Sequence, residues 1–162
     1  MNLLSLSAPE RRLLVEELLA RYVRCLDDDQ LEVWPTFFTA QCRYIVRSQE
    51  NASRNLPTAA MYCDSRAMLV DRIVALRHAN IFETHRYRHF VSALLLDDIA
   101  ADALTATSNY VVLRTRTSGV SEVFSTGSYR DRIVVEEGVL RFAEKLVTFD
   151  TDRIDTLLVT PL

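Results

Sequence analysis

Two histidines, His85 and His89, stand four residues apart in the run Glu83-Thr84-His85-Arg86-Tyr87-Arg88-His89, and three consecutive acids, Asp27, Asp28 and Asp29, lie far upstream. Imidazole is the side chain that changes charge near neutral pH, and a carboxylate can orient it, so these residues could move protons or hold a metal. On a helix the spacing of four would put both rings on one face, as in a zinc site. The surrounding residues read instead as the approach to a strand. Even offsets there also share a face, but at about 13 Å separation, too far for one ion. No third ligand stands at motif spacing, so no metal is expected in this chain.

A proton-transfer reading remains open. His85 or His89 as base, with an acid from Asp27, Asp28 or Asp29, could serve a free-standing dehydratase or isomerase in a pocket between sheet and helices. Against it, Arg86 and Arg88 flank the histidines, and the run reads as a polar surface segment suited to hydrogen bonding or subunit contact. Three consecutive acids at a helix end point in different directions, so they predict a solvated turn and no converging pair of carboxylates. Cys25, Cys42 and Cys63 are odd in number and widely spaced, which predicts reduced, partly buried thiols. With only Gly119, Gly127 and Gly138, the chain has no phosphate-binding loop or nucleophile elbow. No catalytic, cofactor-binding or metal-ligating residue is therefore assigned.

The elements that must position these residues can be read from periodicity. Leu13, Leu14, Leu18, Tyr22 and Cys25 recur at three- and four-residue steps, predicting a first helix with Ser7 as N-cap, Pro9 and Glu10 in its first turn, and its end at the acids. Leu31, Val33, Trp34, Phe37 and Phe38 form an apolar knot around Pro35, read as a short second helix plugging one end of a core. A strand is predicted over 43–47, a loop over 48–57, and a third helix from Asp64 or Ser65 to about His78. Residues 87–96, 103–115, 120–135 and 139–149 are rich in Val, Thr, Tyr and Phe and are separated by turn signals, predicting four strands in a meander. Helices first and consecutive strands after them indicate an α+β fold, a curved antiparallel sheet wrapped over N-terminal helices in one domain spanning 1–162. The strands are long enough to require bending, with Gly127 a candidate bulge.

The totals set bounds. The chain has 162 residues, 49% hydrophobic and 25% charged, the balance of a globular protein. Its net charge of −3, with basic residues dispersed, argues against a nucleic-acid partner. Neither a signal peptide nor a membrane span is evident, so a cytoplasmic protein is expected.

Three stretches carry a family likeness: Tyr22 to Phe38, where a helix ending in Leu26-Asp27-Asp28 precedes Trp34 and a Phe pair; Arg88-His89-Phe90-Val91-Ser92; and Ser128-Tyr129-Arg130-Asp131 before the last hairpin. In their order and spacing the chain resembles the small, or beta, subunit of Rieske-type aromatic-ring-hydroxylating oxygenases, with a cystatin-like, nuclear-transport-factor-2-like cone. It departs at Ala93, where an Asn commonly follows the Arg-His-x-Val-Ser run.

The resemblance implies a non-catalytic subunit that assembles and stabilises an oxygenase acting on an aromatic acid such as salicylate or anthranilate. The Rieske 2Fe-2S cluster and the mononuclear non-heme iron would belong to the large, alpha subunit. The small subunits would form a homotrimer within an alpha3beta3 hexamer. Arg86, Arg88, Arg114, Arg116, Arg130 and Arg132, with the apolar tail from Leu157 to Leu162, are the expected subunit contacts, because guanidinium pairs bidentately with partner carboxylates.

Overall fold

Ser7 opens the first helix by a reciprocal cap. Its hydroxyl accepts from the Glu10 amide while the Glu10 carboxylate accepts from the Ser7 amide at 2.7 Å. From this start α1 runs Ala8–Asp27 in the computed structural model, which describes residues 1–54, 56–79, 84–151, 158 and 160–162. Val15, Leu18, Leu19, Tyr22, Cys25 and Leu26 form its buried stripe. Asp28 caps the C-terminus and Asp29 adopts φ 55, so the acids end the helix in a tight turn as their sequence predicts.

The apolar knot becomes a 3-10 turn, Trp34–Phe37. Trp34 meets Phe38 and Tyr44 edge-on, with ring centroids at 5.5 and 5.1 Å. β1 follows at Phe38–Ser48, longer than the strand predicted. The expected loop over 48–57 contains a one-turn helix, α2 (Gln49–Ser53), capped by Ser48. It is followed by the short strand β2 (Met61–Cys63), which is too brief for periodicity to reveal. α3 spans Arg66–His78 with Ser65 as N-cap. The long strands are β3 (His85–Asp97), β4 (Ala103–Arg116), β5 (Ser121–Glu136) and β6 (Val139–Phe149).

The sheet order is β2-β1-β6-β5-β4-β3. The meander from β3 to β6 is antiparallel as expected, but β1 lies parallel to β6, so the sheet is mixed and not wholly antiparallel. The chain between them runs through α2, β2, α3 and the strands β3 to β5, and a parallel neighbour needs such a long connection. Nothing local in β1 encodes it.

Bending comes from irregularities at three places in the long strands. Ser92 pairs with Asn109 and Leu95 with Thr107, so Ala93 and Leu94 together oppose one residue. Extra residues also fall at Phe124 and Ala143. Gly127 is not a bulge. A Cβ there would sit 2.0 Å from the Thr148 carbonyl oxygen, so the glycine permits close backbone approach between β5 and β6. The concave face packs on α1 and α3 around one continuous apolar cluster that includes Tyr22, Trp34, Tyr44, Tyr110, Tyr129 and Phe142.

Candidate functional site

Asp27 is the last residue of α1, where the negative end of the helix dipole disfavours a carboxylate. Donors from the sheet edge offset this. Both Asp27 carboxylate oxygens accept from the His89 backbone N–H at 3.1 Å, and Oδ1 lies 2.7 Å from His89 Nδ1. A carboxylate only accepts, so Nδ1 carries the hydrogen in this pair. Arg88 adds its guanidinium at 3.7 Å. The structure thus brings together one histidine and one acid of the sequence-level candidates.

The His89 side chain is 0% exposed and that of Asp27 5%, which corrects the expectation of a polar surface run at this residue. The strand alternation explains it, since Tyr87 and His89 face the core while Arg86, Arg88 and Phe90 face outward. His89 Nε2 is covered and has no hydrogen-bond partner. The contact does two mechanical things. It ties the end of α1 to the sheet, and it occupies an amide of β3, the last strand of the sheet. Arg12 does the same further along, donating to the Leu94 carbonyl at 3.0 Å. Edge backbone that would otherwise invite foreign strands is thereby engaged by α1 side chains.

His85 stands apart from this pair. Its ring lies 4.6 Å from that of Tyr87, which stacks on Phe124 at 4.9 Å and meets His89 edge-on at 6.2 Å. A surface cavity of about 530 Å³ adjoins it, lined by Asp27, Asp28, Asp29, Arg77, His85 and Arg88 among others. Asp29 does not turn toward His89. Its carboxylate binds Arg77 at 2.8 and 3.0 Å, and Glu32 joins the same guanidinium. Asp27 and Asp29 therefore diverge, as near neighbours at a helix end do.

The interior of the cone is filled. Leu162 is buried there, its carbonyl oxygen accepting from the Tyr22 and Tyr44 hydroxyls at 2.8 and 3.0 Å while its amide donates to Tyr44. Leu158 is buried too, and Leu157 and Val159 of the same expected contact segment lie outside the described residues. Burial pushes the Tyr22 and Tyr129 hydroxyls well above the usual tyrosine range. Beside them sits Lys145, the chain's only lysine, 0% exposed and 3.0 Å from Asp131 on the neighbouring strand. Its Nζ lies 3.7 Å from the Tyr129 ring centroid and within 5 Å of the Tyr22 and Phe142 centroids. Burial raises the Asp131 carboxyl and lowers the Lys145 ammonium, each against the attraction of the other.

Sequence reasoning missed this pair. Asp131 ends one of the family-like runs, and strand alternation places Lys145 inward with Val147 and Phe149. A lone lysine in that register is the signal that was available.

The arginines expected at contacts divide between two faces. Arg86, Arg88, Arg130 and Arg132 are exposed on the convex face of the sheet. Arg114 and Arg116 lie on the other face, both binding Glu122, and the Arg114 guanidinium is 4.8 Å from the Phe124 ring centroid.

Iron or an iron–sulfur cluster does not fit the donors among the described residues. Among the described residues no group of three or more His, Cys, Asp or Glu converges as a metal site. The thiols of Cys25, Cys42 and Cys63 are raised by burial, to about 11 for the first two, the opposite of what a thiolate ligand needs. No described helix is long and apolar enough to cross a membrane.

A long helix cradled by a curved six-stranded sheet, with the Asp27–His89 contact sealed as a helix-to-edge tie, defines a cone-fold domain. The chain belongs to the family of ring hydroxylating beta subunits, matching it over residues 21–156. It is 44% identical over 142 residues to the anthranilate 1,2-dioxygenase small subunit of Burkholderia cepacia, covering 88% of each chain. It is 40% identical over 143 residues to subunit beta 2 of the terminal oxygenase component of terephthalate 1,2-dioxygenase from a Comamonas species, covering 88% of this chain and 93% of the other. A solved structure assigned as the beta subunit of an aromatic-ring-hydroxylating dioxygenase, from Novosphingobium aromaticivorans, superposes with a TM-score of 0.88 at 41% identity over 96% of this chain and 99% of the other. The chain is thus the beta subunit of an aromatic-ring-hydroxylating dioxygenase, which implies a large-subunit partner.

Proposed function

We propose that this beta subunit is non-catalytic and acts by assembling and stabilising a Rieske non-heme iron oxygenase whose substrate is an aromatic acid of the anthranilate or salicylate type. The observation that carries the reading is the Asp27–His89 contact. Asp27 and His89 are committed to holding α1 against the sheet edge, with the His89 imidazole fully covered, and the cone interior is occupied by Tyr22, Tyr44, Lys145 and Leu162. Nearly full-length similarity to an anthranilate dioxygenase small subunit supports the substrate class. The cluster and the mononuclear iron then reside in the large subunit, and the complex is a cytoplasmic alpha3beta3 hexamer built on a trimer of beta subunits.

Co-expression with the large subunit, followed by light scattering and metal analysis, tests this. A symmetric trimer of the isolated chain without stoichiometric iron, and a hexamer with iron on co-expression, is the expected result. A monodisperse monomer that ignores the large subunit overturns it.

A further inference from the structure

Leu158, Pro161 and Leu162 are buried although they belong to no helix or strand. Backbone polar groups in such a place need side-chain partners. The Leu162 carbonyl oxygen accepts from the hydroxyls of Tyr22 on α1 and Tyr44 on β1, while its amide donates to the Tyr44 oxygen at 2.8 Å. Arg72 on α3 donates to the Leu158 carbonyl at 2.6 Å. Three separate elements thus hold these residues by polar contacts. Thr160 reaches the surface, where it lines the cavity of about 530 Å³ with Leu26, Asp27, His85 and Tyr87. The same few residues therefore connect that cavity with the interior of the cone.

An apolar filling needs no hydroxyls around it. Tyr22 and Tyr44 bring two that converge on one oxygen, and Tyr129 adds a third that is buried without a hydrogen-bond partner. Such orphaned groups are uncommon in folded proteins. Donors outnumber acceptors here, because three phenol hydroxyls and the Lys145 ammonium stand near a single carboxylate, Asp131, which binds the ammonium. Tyr22 touches both Leu162 and Lys145, whose Nζ lies 4.6 Å from its ring centroid, so an anion held by Tyr22 has a cation nearby. The walls are rings. Tyr22 meets Phe38 and Phe142 edge-on, and Tyr44 meets Trp34 in the same way. Rings that pack by edge-to-face contact suit a flat aromatic body.

We infer that the interior of the cone is a binding site for a small aromatic carboxylate with an N–H beside its carboxyl group, and that Leu162 fills it as a resident substitute. In the complex one carboxylate oxygen takes the place of the Leu162 carbonyl and accepts from Tyr22 and Tyr44, while the neighbouring N–H donates to the Tyr44 oxygen. The ring replaces the leucine side chain, and an apolar cavity of about that size accommodates benzene. Negative charge strengthens both phenol hydrogen bonds, which favours a carboxylate over the amide oxygen it displaces. The resident residues are tethered and compete at an effective concentration of about millimolar order, so a free ligand binds the parent chain weakly until they withdraw. No reaction is assigned to the site. The inference does not rest on the assembly role, whose test reads trimer and hexamer formation, so each stands or falls alone.

The test uses the full chain carrying Leu158→Asp/Leu162→Asp, because an unpaired carboxylate is expelled from an apolar interior and takes its backbone with it. Anthranilate is the probe, beside benzoate, which lacks the N–H, and aniline, which lacks the carboxylate. Calorimetry and thermal melting are the readouts. Anthranilate should bind the Asp variant at least about tenfold more tightly than it binds the parent, once the competing residues are gone. On the variant it should bind about threefold more tightly than benzoate and at least about tenfold more tightly than aniline, as one neutral and two charge-assisted hydrogen bonds imply. Adding Tyr22→Phe/Tyr44→Phe should abolish the preference over aniline. Equal binding by parent and variant places the ligand elsewhere and overturns the inference. Benzoate or aniline bound as tightly as anthranilate overturns it too, as does a preference that survives loss of the two hydroxyls. Should the Asp variant not fold, the parent decides: high anthranilate quickens hydrogen exchange across residues 158–162, and unchanged exchange overturns the inference.

Discussion

Replacing Asp27 by Asn separates a mechanical role from a catalytic one. The carboxylate accepts from the His89 amide and from Nδ1, and both partners are buried. An amide side chain keeps one acceptor oxygen but turns its NH2 group toward one of those donors. Hydrogen bonds to a charged group contribute roughly 1.5–3 kcal/mol each, and an unpaired buried donor costs about 1–3 kcal/mol. The expected loss is therefore about 2–4 kcal/mol, and His89→Ala should fall in the same range because it removes the ring bond and leaves a cavity. At 162 residues, roughly 2–4 °C of melting temperature accompany each kcal/mol, so a fall of about 4–16 °C is expected. Chemical denaturation at fixed protomer concentration reads the energy, since assembly shifts apparent stability. Turnover per intact complex should stay within a few-fold of the parent for Asp27→Asn, His89→Ala and His85→Ala alike. A positioned acid or base contributes about 10² to 10⁴-fold. A hundredfold fall in turnover with assembly and melting unchanged would refute the mechanical reading.

Lys145→Met leaves Asp131 buried without its partner and should cost about 3–5 kcal/mol at neutral pH. Asp131 is raised by burial and pulled down by Lys145, so in the variant burial acts unopposed and the folded-state pKa rises further above the unfolded value near 3.9. The native state then binds more protons than the unfolded state between those values, so the variant's deficit relative to the parent should shrink between pH 8 and pH 4.5. A pH-independent deficit in paired denaturation curves would contradict this. Amine-reactive reagents should label the folded parent only at the N-terminal amine, with Lys145 reacting upon unfolding, as peptide mass mapping will read. Ala93 holds φ 53, a conformation that penalises a Cβ and that Asn tolerates well, so Ala93→Asn should raise stability by about 0.5–1 kcal/mol, and a lowered melting temperature would count against the strain. Gly127→Ala drives a methyl into the Thr148 carbonyl and should destabilise by about 3 kcal/mol or lower the yield of folded protein, whereas a parental melting curve would show that β6 can yield.

The order of elements was legible because it is written locally. The Ser7 and Ser65 caps, the stripe on α1 and the two-residue alternation of β3 to β6 each depend on neighbours within a few positions, where dihedral preference and side-chain direction act. The family likeness came from the same local runs, and Ala93, a departure in sequence, proves to be the left-handed residue of a bulge. What local pattern could not supply was pairing over long separations. The parallel contact of β1 with β6, the short β2, the close approach at Gly127 and the Lys145–Asp131 pair all join residues whose sequence spacing carries no period.

The site divides in the same way. Periodicity could place His89 on one face of a strand, but only the packing of α1 across the sheet edge decided that this face is dry and that Asp27, not Asp28 or Asp29, reaches it. A residue's chemistry is fixed by its type. Whether that chemistry is exposed, paired or silenced depends on what the rest of the chain brings within about 3 Å, and that distance is a property of the tertiary fold.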